Sequence, residues 1–316
     1  MNIVSSARTK DEIKKQLQTD FPQLNFQFFN RMNEVGEALR DAEILITYGE
    51  DLTPELIEQA QALKWIMVIS AGLDKMPFAA IKERNILVTN AKGIHALPMA
   101  EYTLAMILQV AREAKTIISH EQRKVWDRKV PMHEINGSTL GILGVGAIGQ
   151  EIARLAKAFG MKVIGLNSTG APVEWVDHMV TINTVDSLLA DSDYVVSVLP
   201  LTKQTNGFMS YRRFEKMKPS SVFINIGRGK TVKQEELVQV LKQGIISHAI
   251  LDVFEKEPLP EDHPFWTMEN VTVTPHISGI SAQYQPRAFE IFRHNLSVYL
   301  KGNGTLMNRI DLDKGY

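Results

Sequence analysis

A short apolar run, Thr139-Leu-Gly-Ile-Leu, leads directly into Gly144-Val-Gly146-Ala147-Ile148-Gly149, and an amphipathic stretch follows. Few local patterns restrict a fold as tightly, because this one demands a strand that turns sharply into a helix. Gly144 permits the turn, Gly146 lets the backbone approach a pyrophosphate, and Gly149 lets helix and strand pack closely. The new helix, opening at Ala147 and Ile148, presents free N–H groups and a positive dipole end to an anion. A glycine triplet alone also occurs in purely structural turns. Here the strand–turn–helix context favours a dinucleotide site.

The next predicted strand, Lys162–Asn167, should end at the adenosine ribose. A carboxylate usually stands there to bind the 2′-hydroxyl of NAD. This chain has Asn167, Ser168 and Thr169 instead. Nothing in that trio repels a 2′-phosphate, and its polar groups can donate to one, so the reading prefers NADP(H) over NAD. No Arg or Lys adjoins the trio, which leaves a relaxed NAD site as the alternative.

The rest of the chain alternates short apolar runs with amphipathic segments, the pattern of parallel sheets covered by helices. Five strands are predicted near Asn2–Ala7, Leu24–Phe29, Glu43–Tyr48, Trp65–Ser70 and Ile86–Thr89. A helical stretch from Pro98 to Glu113 and a polar crossing from His120 to Gly137 precede seven more. These are Thr139–Gly144, Lys162–Asn167, Met179–Ile182, Tyr194–Leu199, Val222–Ile226, Ala249–Val253 and Val271–Thr274. In the last helix, Ala282 to Lys301, the apolar residues Ala288, Phe289, Phe292, Leu296 and Tyr299 recur at helical spacing. Nothing beyond it is long enough for a further domain, so it should pack on the first. The expected fold is therefore α/β, with two doubly wound, Rossmann-like domains. A flavodoxin-like substrate domain, 1–98 and 287–316, would hold an inserted dinucleotide domain, 99–286, with the active site in the cleft between them.

A length of 316 residues suits two domains. With 35 basic and 36 acidic residues there is no cationic excess to neutralise a phosphate backbone or an anionic membrane, so neither nucleic acid nor membrane is expected as a partner. The absence of cysteine excludes disulfides, thiolate nucleophiles and Cys-ligated metals. No signal-like start and no transmembrane-length apolar run are present. A cytoplasmic location is expected.

Three further blocks follow predicted strands: Phe223-Ile-Asn-Ile226-Gly227-Arg228-Gly, Leu251-Asp252-Val-Phe-Glu-Lys-Glu257-Pro-Leu, and Thr274-Pro-His276-Ile-Ser-Gly. Taken alone, an Arg after a strand is commonly a surface cation, a lone His is commonly structural, and Glu257 before Pro258 suits a turn. The three lie 29 and then 19 residues apart, and similar spacings occur across the D-2-hydroxyacid dehydrogenases, a resemblance that implies a reaction centre. Reduction of a 2-keto acid needs a hydride donor, an acid for the carbonyl oxygen and a cation for the carboxylate. Histidine suits the acid. A planar guanidinium grips a carboxylate through two parallel hydrogen bonds.

With these blocks and spacings, nearly the whole chain resembles the D-2-hydroxyacid dehydrogenases. The resemblance implies that Arg228 binds the substrate carboxylate and polarises the carbonyl. His276 would be the proton donor in reduction, and Glu257 would hold it and favour its charged form. Asp252 would bond the nicotinamide carboxamide. Ile226, Gly227 and His276 would lie at the nicotinamide, with Leu199, Pro200 and Thr205 of the Pro-Leu-Thr-x-x-Thr pattern towards adenine. Ser70-Ala71-Gly72-Leu-Asp74 resembles the substrate loop, whose amides at Ala71 and Gly72 would take a carboxylate. His95 sits in a stretch similar to the family's interdomain segment. Trp126, in the crossing, is read first as packing and second as a pocket wall.

The tail Arg309–Tyr316 resembles a bacterial glyoxylate/hydroxypyruvate reductase subgroup, so a small 2-keto or 2-hydroxy acid is the expected substrate. No metal site is expected, and hydride transfer here needs none. Family habit implies a homodimer. Formate dehydrogenases share the fold but pair their histidine with Gln, which Glu257 argues against. A dinucleotide-sensing corepressor-type protein on the same fold is the rival from another class.

Overall fold

The computed structural model describes residues 1–70, 72–73 and 75–312. Ala71 and Asp74 of the expected substrate loop, and Asp313 to Tyr316 of the tail, lie outside the described residues. The chain divides into two compact units. Unit 1 is Met1–His95 with the segment from Ser281 onward, and unit 2 is Ala96–Ile280. The sequence reading sets these joins at 98/99 and 286/287.

Unit 1 holds β1 (Asn2–Ser5), β2 (Asn25–Phe28), β3 (Ile44–Thr47), β4 (Trp65–Val68) and β5 (Leu87–Asn90), all parallel, in the order β2-β1-β3-β4-β5. The inner strands are apolar on both faces, as a doubly covered sheet requires. Alternate residues enter opposite layers: Ile44, Ile46, Trp65 and Met67 join one core, while Leu45, Ile66 and Val68 join the other. The helix Tyr284–Lys301 completes the first layer with Ala288, Phe289, Phe292 and Leu296. The Trp65 ring lies 5.5 Å from that of Phe292 and 5.4 Å from that of Tyr299, and its Nε1 donates to Thr89 Oγ1 at 2.9 Å. The last helix thus belongs to the core of unit 1, as its apolar spacing predicted.

Unit 2 holds β6 (Thr139–Leu143), β7 (Lys162–Leu166), β8 (His178–Val180), β9 (Tyr194–Ser197), β10 (Val222–Asn225), β11 (His248–Leu251) and β12 (Val271–Val273). They form a parallel sheet in the order β12-β11-β10-β9-β6-β7-β8. The chain reverses its direction of strand addition between β6 and β9, so the glycine turn after β6 sits at a topological switch point. The helix Ala96–Ala111 packs against Ala147–Ala158 through Leu104, Ile107, Ile152 and Ala156. A second helix, Ala114–Gln122, continues past Glu113 and buries no residue. The sequence reading lacks it. Among the described residues, no helix is long and apolar enough to cross a membrane.

Candidate active site

The glycine turn has the form its spacing predicts. Gly144 adopts φ +106°, which favours glycine, and a β-carbon on Gly149 would stand 2.5 Å from the Gly144 carbonyl oxygen. Gly146 faces open space and caps the helix Ala147–Ala158 without any side-chain hydrogen bond. The first helical N–H groups, at Ala147, Ile148 and Gly149, therefore lack helical partners and can bind an anion.

Across the switch point, a β-carbon on Gly227 would stand 2.7 Å from the Leu199 carbonyl oxygen. Only glycine lets the turn after β10 lie so close to the turn after β9. Buried Asn225 shapes that turn: its Oδ1 accepts from Gly227 N–H at 3.2 Å, and its Nδ2 donates to the Arg228 carbonyl at 3.2 Å. The Thr231 hydroxyl donates to the same carbonyl at 2.6 Å. These bonds fix the half-buried Arg228, whose Nη1 donates to the Gly227 carbonyl at 2.9 Å.

The turn after β11 presents Glu257, and the turn after β12 presents His276. Glu257 Oε1 accepts from Phe254 N–H at 3.0 Å, which aims the other oxygen. That oxygen, Oε2, lies 2.8 Å from His276 Nδ1. With Nδ1 so engaged, Nε2 is the ring nitrogen left to exchange a proton. The His276 side chain is 52% exposed, so it is open to a ligand. Its backbone takes the left-handed conformation, φ +55°, uncommon outside glycine and a recurrent mark of functional positions.

Asp252 holds that conformation in place. Its carboxylate is fully buried and accepts from the Thr274 hydroxyl at 2.5 Å, Ile277 N–H at 2.9 Å and Ser278 N–H at 2.9 Å. Because Thr274 gives its only hydroxyl proton to Asp252, Tyr102 must donate to Thr274 Oγ1, at 2.7 Å. Burial pushes the Tyr102 phenol up to about 12, so it stays a donor. Asn225, Thr274 and Tyr102 were not singled out from sequence. The signal for Asn225 and Thr274 is their place inside the quoted blocks, whereas Tyr102 sits in a remote helix and gave none.

Residues 104–278 match the model of the D-isomer specific 2-hydroxyacid dehydrogenase NAD-binding domain. The chain belongs to the D-isomer specific 2-hydroxyacid dehydrogenase family. A family protein from Aeromonas salmonicida superimposes with a TM-score of 0.90 at 30% identity, covering 99% of each chain. A glyoxylate reductase of Thermofilum pendens is 35% identical over 279 residues, which span 85% of this chain and 81% of its own. An NADPH-dependent glyoxylate/hydroxypyruvate reductase from Sinorhizobium meliloti, solved with NADP and sulfate, has a TM-score of 0.83 at 26% identity. It covers 100% of this chain and 99% of its own. This D-2-hydroxyacid dehydrogenase family member is thus an oxidoreductase with a nicotinamide dinucleotide cofactor, and its glycine turn and close-packed Gly227 fit that cofactor.

Asn167 turns inward on its own loop: Oδ1 accepts from Thr169 N–H at 3.1 Å and Gly170 N–H at 2.6 Å, and Nδ2 donates to Ala171 O at 3.1 Å. Ser168 and Thr169 are exposed. Thr205 closes the loop after β9 by donating to the Pro200 carbonyl at 2.5 Å. Leu199 is buried and Pro200 exposed. Gly72 and His95 belong to unit 1. The Ser70 hydroxyl lies within hydrogen-bond distance of the Gly72 carbonyl, 3.1 Å, and the Tyr48 carbonyl, 3.0 Å, and the His95 ring meets Tyr284 edge-on at 5.2 Å. Trp126 is 92% exposed, so among the described residues it is not packed as the sequence first suggests.

Proposed function

We propose that this enzyme reduces a small 2-keto acid, with glyoxylate and hydroxypyruvate as first candidates, to the D-2-hydroxy acid, and prefers NADPH. The observation that carries the proposal is the 2.8 Å contact of His276 Nδ1 with Glu257 in the unit that holds the dinucleotide turn. The bound nicotinamide supplies the hydride. Arg228 takes the substrate carboxylate through its planar fork and draws charge towards the carbonyl oxygen. His276 delivers a proton from Nε2 to that oxygen, and Glu257 stabilises the imidazolium and fixes its orientation. In the reverse direction His276 accepts the proton. Asp252 is assigned to the nicotinamide carboxamide, and its bonds to Thr274, Ile277 N–H and Ser278 N–H also hold the His276 loop. Unit 1 is assigned the role of substrate domain, with Ala71 and Gly72 as its carboxylate-binding amides.

The NADPH preference rests on the missing carboxylate at 167–169, on the exposed Ser168 and Thr169 hydroxyls, and on relatives solved with NADP. A homodimer is part of the proposal. Ile117, Ile118, Val125, Trp126 and Met132 leave an apolar surface on a segment whose helix buries nothing, which suits self-association. A panel of 2-keto acids run with NADPH and NADH, followed by loss of reduced-nicotinamide absorbance, tests the reading. Turnover of a short keto acid, faster with NADPH, is expected. No turnover of any panel member would overturn it.

A further inference from the structure

Unit 1 has a switch point of its own. From β1 the chain moves out to β2, then returns past β1 to β3, so the crevice beyond the ends of β1 and β3 is where a sheet of this order accepts a ligand. A cavity of about 580 Å³ opens there, within the range of roughly 300–1,000 Å³ common for small-molecule sites. Its lining comes from the segments that follow β1, β2 and β3.

Two charges of opposite sign line this cavity without meeting. Asp51 is the negative one. Its Oδ1 accepts from the Thr47 hydroxyl at 2.7 Å and its Oδ2 from the buried Ser6 hydroxyl at 3.4 Å. A carboxylate has about four acceptor sites, so two stay available. Arg31 is the positive one. It is exposed, and its side chain makes no hydrogen bond or ion pair among the described residues. Met32 and Leu56 give the same cavity an apolar wall.

A ligand that satisfies all three features carries an anion, a cation and an apolar body. We propose that this cavity binds a free α-amino acid with an apolar side chain. Arg31 takes the α-carboxylate as a fork, Asp51 takes the α-ammonium, and the side chain lies on Met32 and Leu56. A 2-keto acid fits poorly, because it brings no cation to Asp51 and sets a second carboxylate beside it. The site is therefore distinct in chemistry from the reaction centre built on His276, and it stands whether or not the keto-acid reading does.

Isothermal titration of the full chain, without cofactor, tests the proposal directly. L-leucine and L-methionine are the probes. 4-Methylpentanoate, which lacks the ammonium, and 3-methylbutylamine, which lacks the carboxylate, are the controls. Saturable binding of at least one amino acid is expected, with a Kd of about 1 mM or tighter and each control about tenfold weaker. Arg31→Met should weaken the amino acid about tenfold while leaving the melting temperature unchanged, because that side chain is exposed and unbonded. Asp51→Asn keeps an acceptor for Thr47 and should weaken it similarly. Absence of saturable heat with both amino acids overturns the proposal. So does equal binding of 4-methylpentanoate, or undiminished binding by the Arg31→Met protein.

Discussion

Gly229 and Phe254 touch backbone to backbone: a β-carbon on Gly229 would overlap the Phe254 carbonyl group. This contact sets the turn that carries Arg228 against the turn that carries Glu257. Flexible side chains can yield to an added methyl, but two backbones cannot. Gly229→Ala should therefore separate the guanidinium from the Glu257–His276 pair. Overpacking of this kind costs about 1–3 kcal/mol. The expected result is a melting temperature lower by several degrees and a kcat/KM reduced more steeply than the stability loss explains. Thermal melts beside steady-state kinetics check it, and normal kcat/KM would show that the contact is dispensable.

His276 and Glu257 should separate in mutant kinetics. His276→Ala removes the proton donor, so kcat for keto-acid reduction should fall by about 10²–10⁴, with NADPH affinity nearly unchanged. Glu257→Gln keeps a hydrogen-bonding group 2.8 Å from Nδ1 but removes the charge that stabilises imidazolium. Its loss of kcat should be smaller, about tenfold or more. Fluorescence titration with NADPH and single-turnover rates distinguish the two variants. A Glu257→Gln enzyme slower than His276→Ala would contradict the assigned order of roles.

Much of this was legible in the sequence because strong local periodicity wrote it there. All-apolar runs such as Ile44-Leu-Ile mark strands covered on both faces, and the spacing of Ala288, Phe289, Phe292 and Leu296 gave away a helix docked on an earlier core. The helix Ala114–Gln122 was not legible, because it buries no residue and so shows no apolar stripe. The reading of β8 as Met179–Ile182 ran past its end at Val180, where Ile182 is exposed rather than paired. At Asn167 the residue type does not reveal that the side-chain amide is engaged by backbone groups two to four positions on, a local competition that composition does not show. The Tyr102–Thr274–Asp252 chain depends on which helix passes over which loop, and no one-dimensional pattern encodes that.

Cofactor choice should respond to one charge at Asn167. Asn167→Asp retains the acceptor for Thr169 and Gly170, so the loop should keep its shape, at the loss of the bond to Ala171. A carboxylate there repels a 2′-phosphate and can accept from a 2′-hydroxyl. The NADPH/NADH ratio of kcat/KM should fall by about tenfold or more, equivalent to about 1.4 kcal/mol. An unchanged ratio would mean that this strand end does not sense the 2′ position.

A last prediction concerns stability and sits at the other end of the sheet, where β11 begins. His248 Nε2 pairs with Thr272 Oγ1 at 3.0 Å. Burial, with help from the Lys115 charge, pushes the imidazole from its ordinary 6.5 down to about 4. Glu113 and Glu269 line the same pocket, and the net effect is still downward. A histidine with a depressed pKa favours the fold while it is neutral. Above pH 6.5 neither folded nor unfolded chain holds the proton, so the contribution is complete there. Between 6.5 and about 4 the unfolded chain protonates first, and stability falls as pH falls. Across that window the loss from this residue is at most roughly 3 kcal/mol. His248→Gln keeps a partner for Thr272 and cannot titrate, so its stability should decline less between pH 6.5 and 4.5 than that of the parent. Urea unfolding of both proteins across this range measures the difference, with shared carboxylate effects cancelling between them. Parallel pH curves for the two proteins would show that His248 is not held neutral in the fold.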